Sequence, residues 1–84
     1  MNNALRRASK KQLSPLGKAI NHYQSELGYS DYYLAWRMLS NQSNISKHKT
    51  GKTKPGYDKL ISYADILQIK LSTLIIKSEE FENE

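Results

Sequence analysis

"NQSNISKHKTGKTKPG", residues 41–56, is the stretch on which the reading of this chain turns. It holds four lysines, one histidine and no acid, and its one large apolar residue is Ile45. The pattern predicts a short helix from Gln42 to Lys49. Asn41 is a good N-cap, and Thr50-Gly51 supplies a stop. "KTKPG" then reads as a loop. A helix with one apolar anchor and an otherwise polar surface does not belong in a core. It can be propped on a small scaffold at Ile45 so that its polar face projects outward.

The flanking sequence provides that scaffold. Upstream, Ser30 is a candidate N-cap with Asp31 well placed against the positive helix end. Tyr33, Leu34, Ala35, Met38 and Leu39 form an inward face, with Tyr32, Trp36 and Arg37 further outward. A turn of about three residues would join this helix to the one anchored by Ile45, a short connection of the kind found between packed helices. Further upstream, Ser14 followed by Pro15 starts a helix in which Leu16, Ala19, Ile20, Tyr23 and Leu27 share one face. Gly28 ends it in a left-handed conformation.

Downstream, a fourth helix is expected from Tyr57 or Asp58 to Leu67, with Leu60, Ile61, Ala64 and Leu67 inward. "QIK" connects it to a short fifth helix, Ser72 to Lys77. The stretch "LSTLIIK" has the composition of a strand as well as of a helix, and helix is the reading preferred here. The chain thus divides into a basic arm (1–13), a five-helix all-α domain (14–77) and an acidic tail (78–84) expected to fray.

Composition narrows the function. At 84 residues and net charge +5, this is one small domain that buries only about 60% of its unfolded surface. It has no cysteine, so disulfides and thiolate metal sites are excluded; a reducing cytoplasm suits such a chain. His22 and His48 lie in unrelated segments, and no cofactor is implied. No apolar run approaches the roughly 18 residues of a membrane span. No nucleophile–base pair or strand-led glycine-rich phosphate loop suggests an enzyme. Arg6, Arg7, Lys10 and Lys11 form one basic cluster and Lys47, Lys49, Lys52 and Lys54 another, whereas Glu79, Glu80, Glu82 and Glu84 crowd the end. This asymmetry suits an anionic polymer, with solvation of a small protein as the plainer reading.

The chemistry of residues 42–54 favours the polymer. The major groove of B-form DNA admits one α-helix, and residues at the start of that helix reach base edges. Gln42, Ser43 and Asn44 stand there. Gln and Asn pair bidentately with adenine, and Ser donates or accepts at several bases. The lysines beyond them are placed for phosphates, which position a reader without specifying sequence.

Residues 16–75 resemble the Cro/C1-type (XRE-like) helix-turn-helix domain of phage and bacterial transcriptional regulators. The resemblance rests on Leu16, Gly17, Ile20, Gly28, Ser30, Leu34, Ala35, Ser43, Ile45, Ser46, Gly51, Pro55, Leu60, Ala64, Leu67 and Ile69, a series that runs without a gap. Three positions depart from the family pattern. Leu39 stands where Gly is usual, Ser40 where an apolar residue is usual, and Lys49 where Glu is frequent. Lys49 is read as added charge on the DNA side, and Leu39 as a replacement core contact.

The resemblance implies a lambda-repressor-like fold with helices two and three as the helix-turn-helix. It implies base contacts from Gln42, Ser43, Asn44 and Lys47, and phosphate contacts from Ser30, Arg37, Lys49, Thr50, Lys52 and Lys54. Neutralising about six phosphates would give a log–log salt slope of about −5. It further implies a homodimeric repressor on palindromic double-stranded DNA, in a bacterial or phage-infected cytoplasm. The dimer contact would use Leu71, Leu74, Ile75, Ile76 and Phe81. A competing reading is an antitoxin-like interaction module whose helix-turn-helix only autoregulates and whose tail, with Phe81, contacts a partner protein. The aromatic group Tyr29, Tyr32, Tyr33 and Trp36 reads as packing or dimer contact in preference to a single-strand stacking platform. The basic arm reads equally as a minor-groove or backbone strand and as a free tail.

Overall fold

The computed structural model describes residues 12–84; the basic cluster at Arg6, Arg7, Lys10 and Lys11 lies outside the described residues. The described residues form five helices: α1 Pro15–Leu27, α2 Asp31–Arg37, α3 Gln42–Thr50, α4 Tyr57–Ile66 and α5 Leu71–Glu82. No strand occurs among them, so "LSTLIIK" is helical. None of these helices is long and apolar enough to cross a membrane.

The expected starts are built by side-chain caps. Ser14, Ser30 and Asn41 each accept a hydrogen bond from the backbone N–H three residues on, at 2.9–3.0 Å. Each bond satisfies one of the donors that a helix start leaves unpaired. Three helix ends share one closure. The N–H groups of Tyr29, Ser40 and Ile69 reach back to the carbonyls of Gln24, Ala35 and Ala64, while those of Gly28, Leu39 and Gln68 bond to Ser25, Trp36 and Asp65. This double pattern requires a left-handed residue at the turn. Gly28 takes it freely; Leu39 (φ 55°) and Gln68 (φ 63°) take it with a Cβ, at a cost of about 1 kcal/mol each.

Leu39 corrects one expectation. It is 95% exposed and forms no core contact. Its own left-handed backbone turns the side chain outward, and Met38 fills the interior instead. The connection between α2 and α3 runs over four residues, 38–41.

The core gathers Ala19 and Ile20 from α1, Leu34 and Ala35 from α2, Ile45 from α3, Tyr63, Ala64 and Ile66 from α4, and Leu74 from α5, with Met38 and Leu67 at helix ends. Fully burying a side chain of this kind is worth about 1.5–3 kcal/mol, and Ile45 makes that contribution for α3. In α4 the inward position is Tyr63, whereas Ile61 is exposed. Leu27, at the end of α1, is also exposed.

The end of the chain differs most from expectation. α5 continues to Glu82, so residues 78–82 are helix and do not fray. Phe81 packs against the core, and Lys77 pairs with Glu80 at 3.0 Å. Lys18 on α1 approaches Glu84 at 3.8 Å. Of the five residues expected at a dimer contact, Leu74 is fully buried within its own chain and Leu71 and Phe81 pack against the core; Ile76 alone is exposed.

Candidate nucleic-acid interface

α3 is pinned from its inward face. Ile45 is fully buried, and Lys49, four residues on, is only 5% exposed. Residues four apart lie on the same helix face, so the register that buries Ile45 carries Lys49 inward with it. The expected phosphate contact by Lys49 is therefore not available. Its Nζ donates to Asn21 Oδ1 at 3.1 Å, Gln24 Oε1 at 2.9 Å and Asp31 Oδ1 at 2.9 Å. Those are all three donors of an ammonium group. Gln24 Nε2 also donates to Asp31 Oδ1, at 2.7 Å. The network ties α1, α2 and α3 together, and no buried side-chain polar atom among the described residues lacks a partner.

Asp31 owes its state to this network. Partial burial by itself would raise its carboxyl, but the hydrogen bonds from Gln24 and Lys49 and the Lys49 charge outweigh that and hold it below the ordinary aspartate range. The charge that stands beside the start of α2 is thus countered within the protein.

The far end of α3 is held through its backbone. The Lys49 carbonyl, left over where the helix stops, accepts from the Ser14 N–H at 2.9 Å and the Ser14 hydroxyl at 3.1 Å. α1 approaches so closely here that a Cβ at Gly17 would collide with that carbonyl. His48 lies alongside, with Nδ1 2.7 Å from the Tyr63 hydroxyl and the two rings edge to face. Burial, then the nearby Lys59 charge, pushes the His48 imidazole below its ordinary value. Burial, then the Asp31 charge, pushes the Tyr63 hydroxyl well above its own. A neutral His48 accepting from a protonated Tyr63 fits both directions.

The start of α3 is the opposite case. Gln42, Ser43, Asn44 and Lys47 are exposed. Among the described residues no side-chain partner engages Gln42, Ser43 or Lys47. Asn44 is committed in part, because its Nδ2 donates to Ser40 Oγ at 2.9 Å; its side chain leans back toward the turn. Lys52 and Lys54 are exposed on the following loop. Thr50 Oγ1 makes a long bond, 3.4 Å, to the Lys47 carbonyl. The Ser30 hydroxyl oxygen caps α2 and retains its hydrogen for donation. Arg37 is exposed but held along α2: it donates to the Tyr33 hydroxyl at 2.8 Å and lies 5.7 Å from the centre of that ring. The hydrogen bond to Tyr33 raises its guanidinium pKa.

Gln42, Ser43, Asn44 and Lys47 are exposed on α3, whereas Lys49, expected on the same side, is withdrawn into the body. Its partners Asn21 and Gln24 carry no mark of that role in the sequence. The signal for Lys49 was present, since it lies at the i+4 position from the anchor.

The chain matches no protein-family model, and no curated protein matches it at significant similarity. Its fold, a small all-helical domain with α2 and α3 joined by a short turn, occurs in solved structures. One is the clp gene regulator ClgR from Corynebacterium glutamicum, which superposes with a TM-score of 0.75 at 18% identity, over 80% of this chain and 71% of that one.

Proposed function

We propose that the chain is a sequence-specific reader of double-stranded DNA, a transcriptional regulator of the Cro/C1-type helix-turn-helix family that represses from a palindromic operator. The observation that carries this reading is the division of α3. Ile45 and Lys49 fix the helix to the body, while Gln42, Ser43 and Lys47 stand clear of it and keep their hydrogen-bonding groups uncommitted. An exposed, rigidly held helix start is what the major groove accommodates. The fold likeness to a gene regulator, ClgR, supports the same reading. The role is binding, not catalysis, and its place is wherever the cell keeps its DNA.

In this reading Gln42 and Ser43 contact bases, with Lys47 and the remaining groups of Asn44 beside them. Lys52, Lys54, Thr50, Ser30 and Arg37 meet phosphates. With Lys49 withdrawn into its network, four cations remain for DNA among these residues, Arg37, Lys47, Lys52 and Lys54. The log–log salt slope should then be about −4. A homodimer, with a seam centred on Ile76 of α5 (55% exposed), would place two such helices on successive half-sites about one helical turn apart. The interaction-module reading is not favoured, because the tail it requires is engaged: Phe81 packs on the core and Glu84 approaches Lys18.

The test begins by selecting duplexes from a random pool with the full chain. Replacing Gln42 and Ser43 together by Ala should flatten preference among the selected sites by about 1–3 kcal/mol per lost good contact, with non-specific affinity kept. Lys52→Ala should weaken all duplexes alike. Site preference that survives the double replacement would refute the assignment of α3.

A further inference from the structure

Beside the start of α3 lies an open cleft of about 320 Å³, lined by Tyr32, Ala35, Trp36, Ser40, Asn41 and Gln42. Tyr32 and Trp36 are 67% and 65% exposed. Being four residues apart, they stand on one face of α2. Large rings left open to water are uninformative when scattered, but these two form the wall of a concavity that shares Asn41 and Gln42 with the proposed reading edge.

The polar atoms of the cleft are arranged to give hydrogen bonds. Asn41 uses its Oδ1 to cap α3, accepting from the Asn44 N–H at 2.9 Å, so its amide hydrogens are left for a ligand. The Ser40 oxygen accepts from Asn44 Nδ2, which leaves the Ser40 hydroxyl hydrogen to donate. The Trp36 indole nitrogen is a donor only. No carboxylate lines the cleft, and the nearest acid on α2, Asp31, is paired with Lys49 at 2.9 Å. Apolar ring walls with donors along one edge complement a sugar face joined to an anionic group.

We infer that the Tyr32–Trp36 cleft takes one deoxyribose–phosphate unit of the duplex backbone, next to the bases that Gln42 reads; this rests on the DNA-reading proposal above. The ring walls pack on the sugar, and the Trp36 indole N–H and Asn41 amide bond to the phosphate oxygens. The unit fixes how far along the groove α3 sits. Contacts of this kind set register without reading sequence.

Trp36 is the only tryptophan in the chain, so its emission reports on the cleft directly. The experiment titrates the full chain with an end-labelled duplex selected from a random pool, following anisotropy for binding and acrylamide quenching for access to Trp36. Saturating duplex should shield Trp36 from acrylamide. Trp36→Ala should weaken binding about tenfold, on the selected duplex and a scrambled one alike, and Trp36→Phe should weaken it less because the ring is kept. Ethylation of one phosphate flanking the half-site should weaken the wild-type chain about as much as Trp36→Ala does, and have no further effect on Trp36→Ala. Circular dichroism should find both variants folded, since the side chain is exposed. A Trp36 that stays as open to acrylamide on saturated duplex as in the free chain overturns the inference and leaves the DNA reading standing. Full duplex affinity in both Trp36→Ala and Tyr32→Ala also overturns it. If no duplex is selected at any salt concentration, both proposals fall together.

Discussion

The two ends of α3 are built from similar residues and used in opposite ways. At the start, Gln42 and Ser43 are exposed and uncommitted. At the end, Lys49 spends every donor on α1 and α2, and its carbonyl is taken by Ser14. Lys47 and Lys49 are two positions apart, and a helix turns residues at that spacing to different faces. One points to water and the other into the body. The contrast teaches that a short polar helix can be held rigidly without an apolar face of its own, provided one end is consumed in fixing it.

The comparison can be broken most severely at Gly17. Gly17→Ala drives a Cβ into the Lys49 carbonyl and should cost about 3 kcal/mol, read as a lower midpoint in chemical denaturation. Lys49→Met comes next. It keeps the bulk of the stem but strands Gln24 and Asp31, and should cost about 2 kcal/mol, softened because water reaches the half-open Asp31. The same variant sharpens the pH dependence. The carboxyl of folded Asp31 sits below its unfolded value, so its contribution is present above the ordinary aspartate range and is lost as pH falls through the lowered value. The acid limb of the wild-type stability curve should therefore be steeper than that of Lys49→Met.

Tyr63→Phe removes the partner of His48 and should cost about 1 kcal/mol. His48 is also shifted downward, so its contribution is present above the unfolded histidine value and is lost as pH falls through the folded one; His48→Gln should remove that slope. Leu39→Gly should stabilise by about 0.5–1 kcal/mol, because the position is left-handed and exposed. The smallest effect belongs to the free end. Replacing Gln42 and Ser43 by Ala should move the melting free energy by no more than about 0.5 kcal/mol, while the proposed reading expects site preference to be lost. A large stability loss there would erase the contrast between the two ends.

Much of this arrangement was legible in the sequence. Ser14, Ser30 and Asn41 as caps, Gly28 as a left-handed stop, Thr50-Gly51 as a stop, and Ile45 as the anchor all follow from local chemistry, and all occur as expected. What escaped was decided by contacts distant in sequence. The i+4 spacing from Ile45 marks Lys49 as inward, but its partners lie 18 to 28 positions away, and nothing local names them. In α4 the apolar residues cover a broad arc facing a polar stripe of Asp58, Ser62 and Asp65, and spacing within that arc allowed Ile61 where Tyr63 is buried. The end of α5 was misjudged because four glutamates at a helix C-terminus oppose its dipole. The docking of Phe81 outweighs them. In the candidate site, exposure of the leading side chains was foreseeable; the cleft beside them depends on how α2 crosses α3 and was not.

The closure between Ser14 and the Lys49 carbonyl has a mechanical consequence. Ser14 itself sits over the terminal turn of α3, with Gly17 wedged against the same backbone atom. A tether, tag or surface attachment made on that side delivers its load into the very helix whose orientation matters. An attachment made after Glu84 loads the end of α5 first. Immobilisation by the carboxyl-terminal side is therefore the geometry that leaves α3 undisturbed.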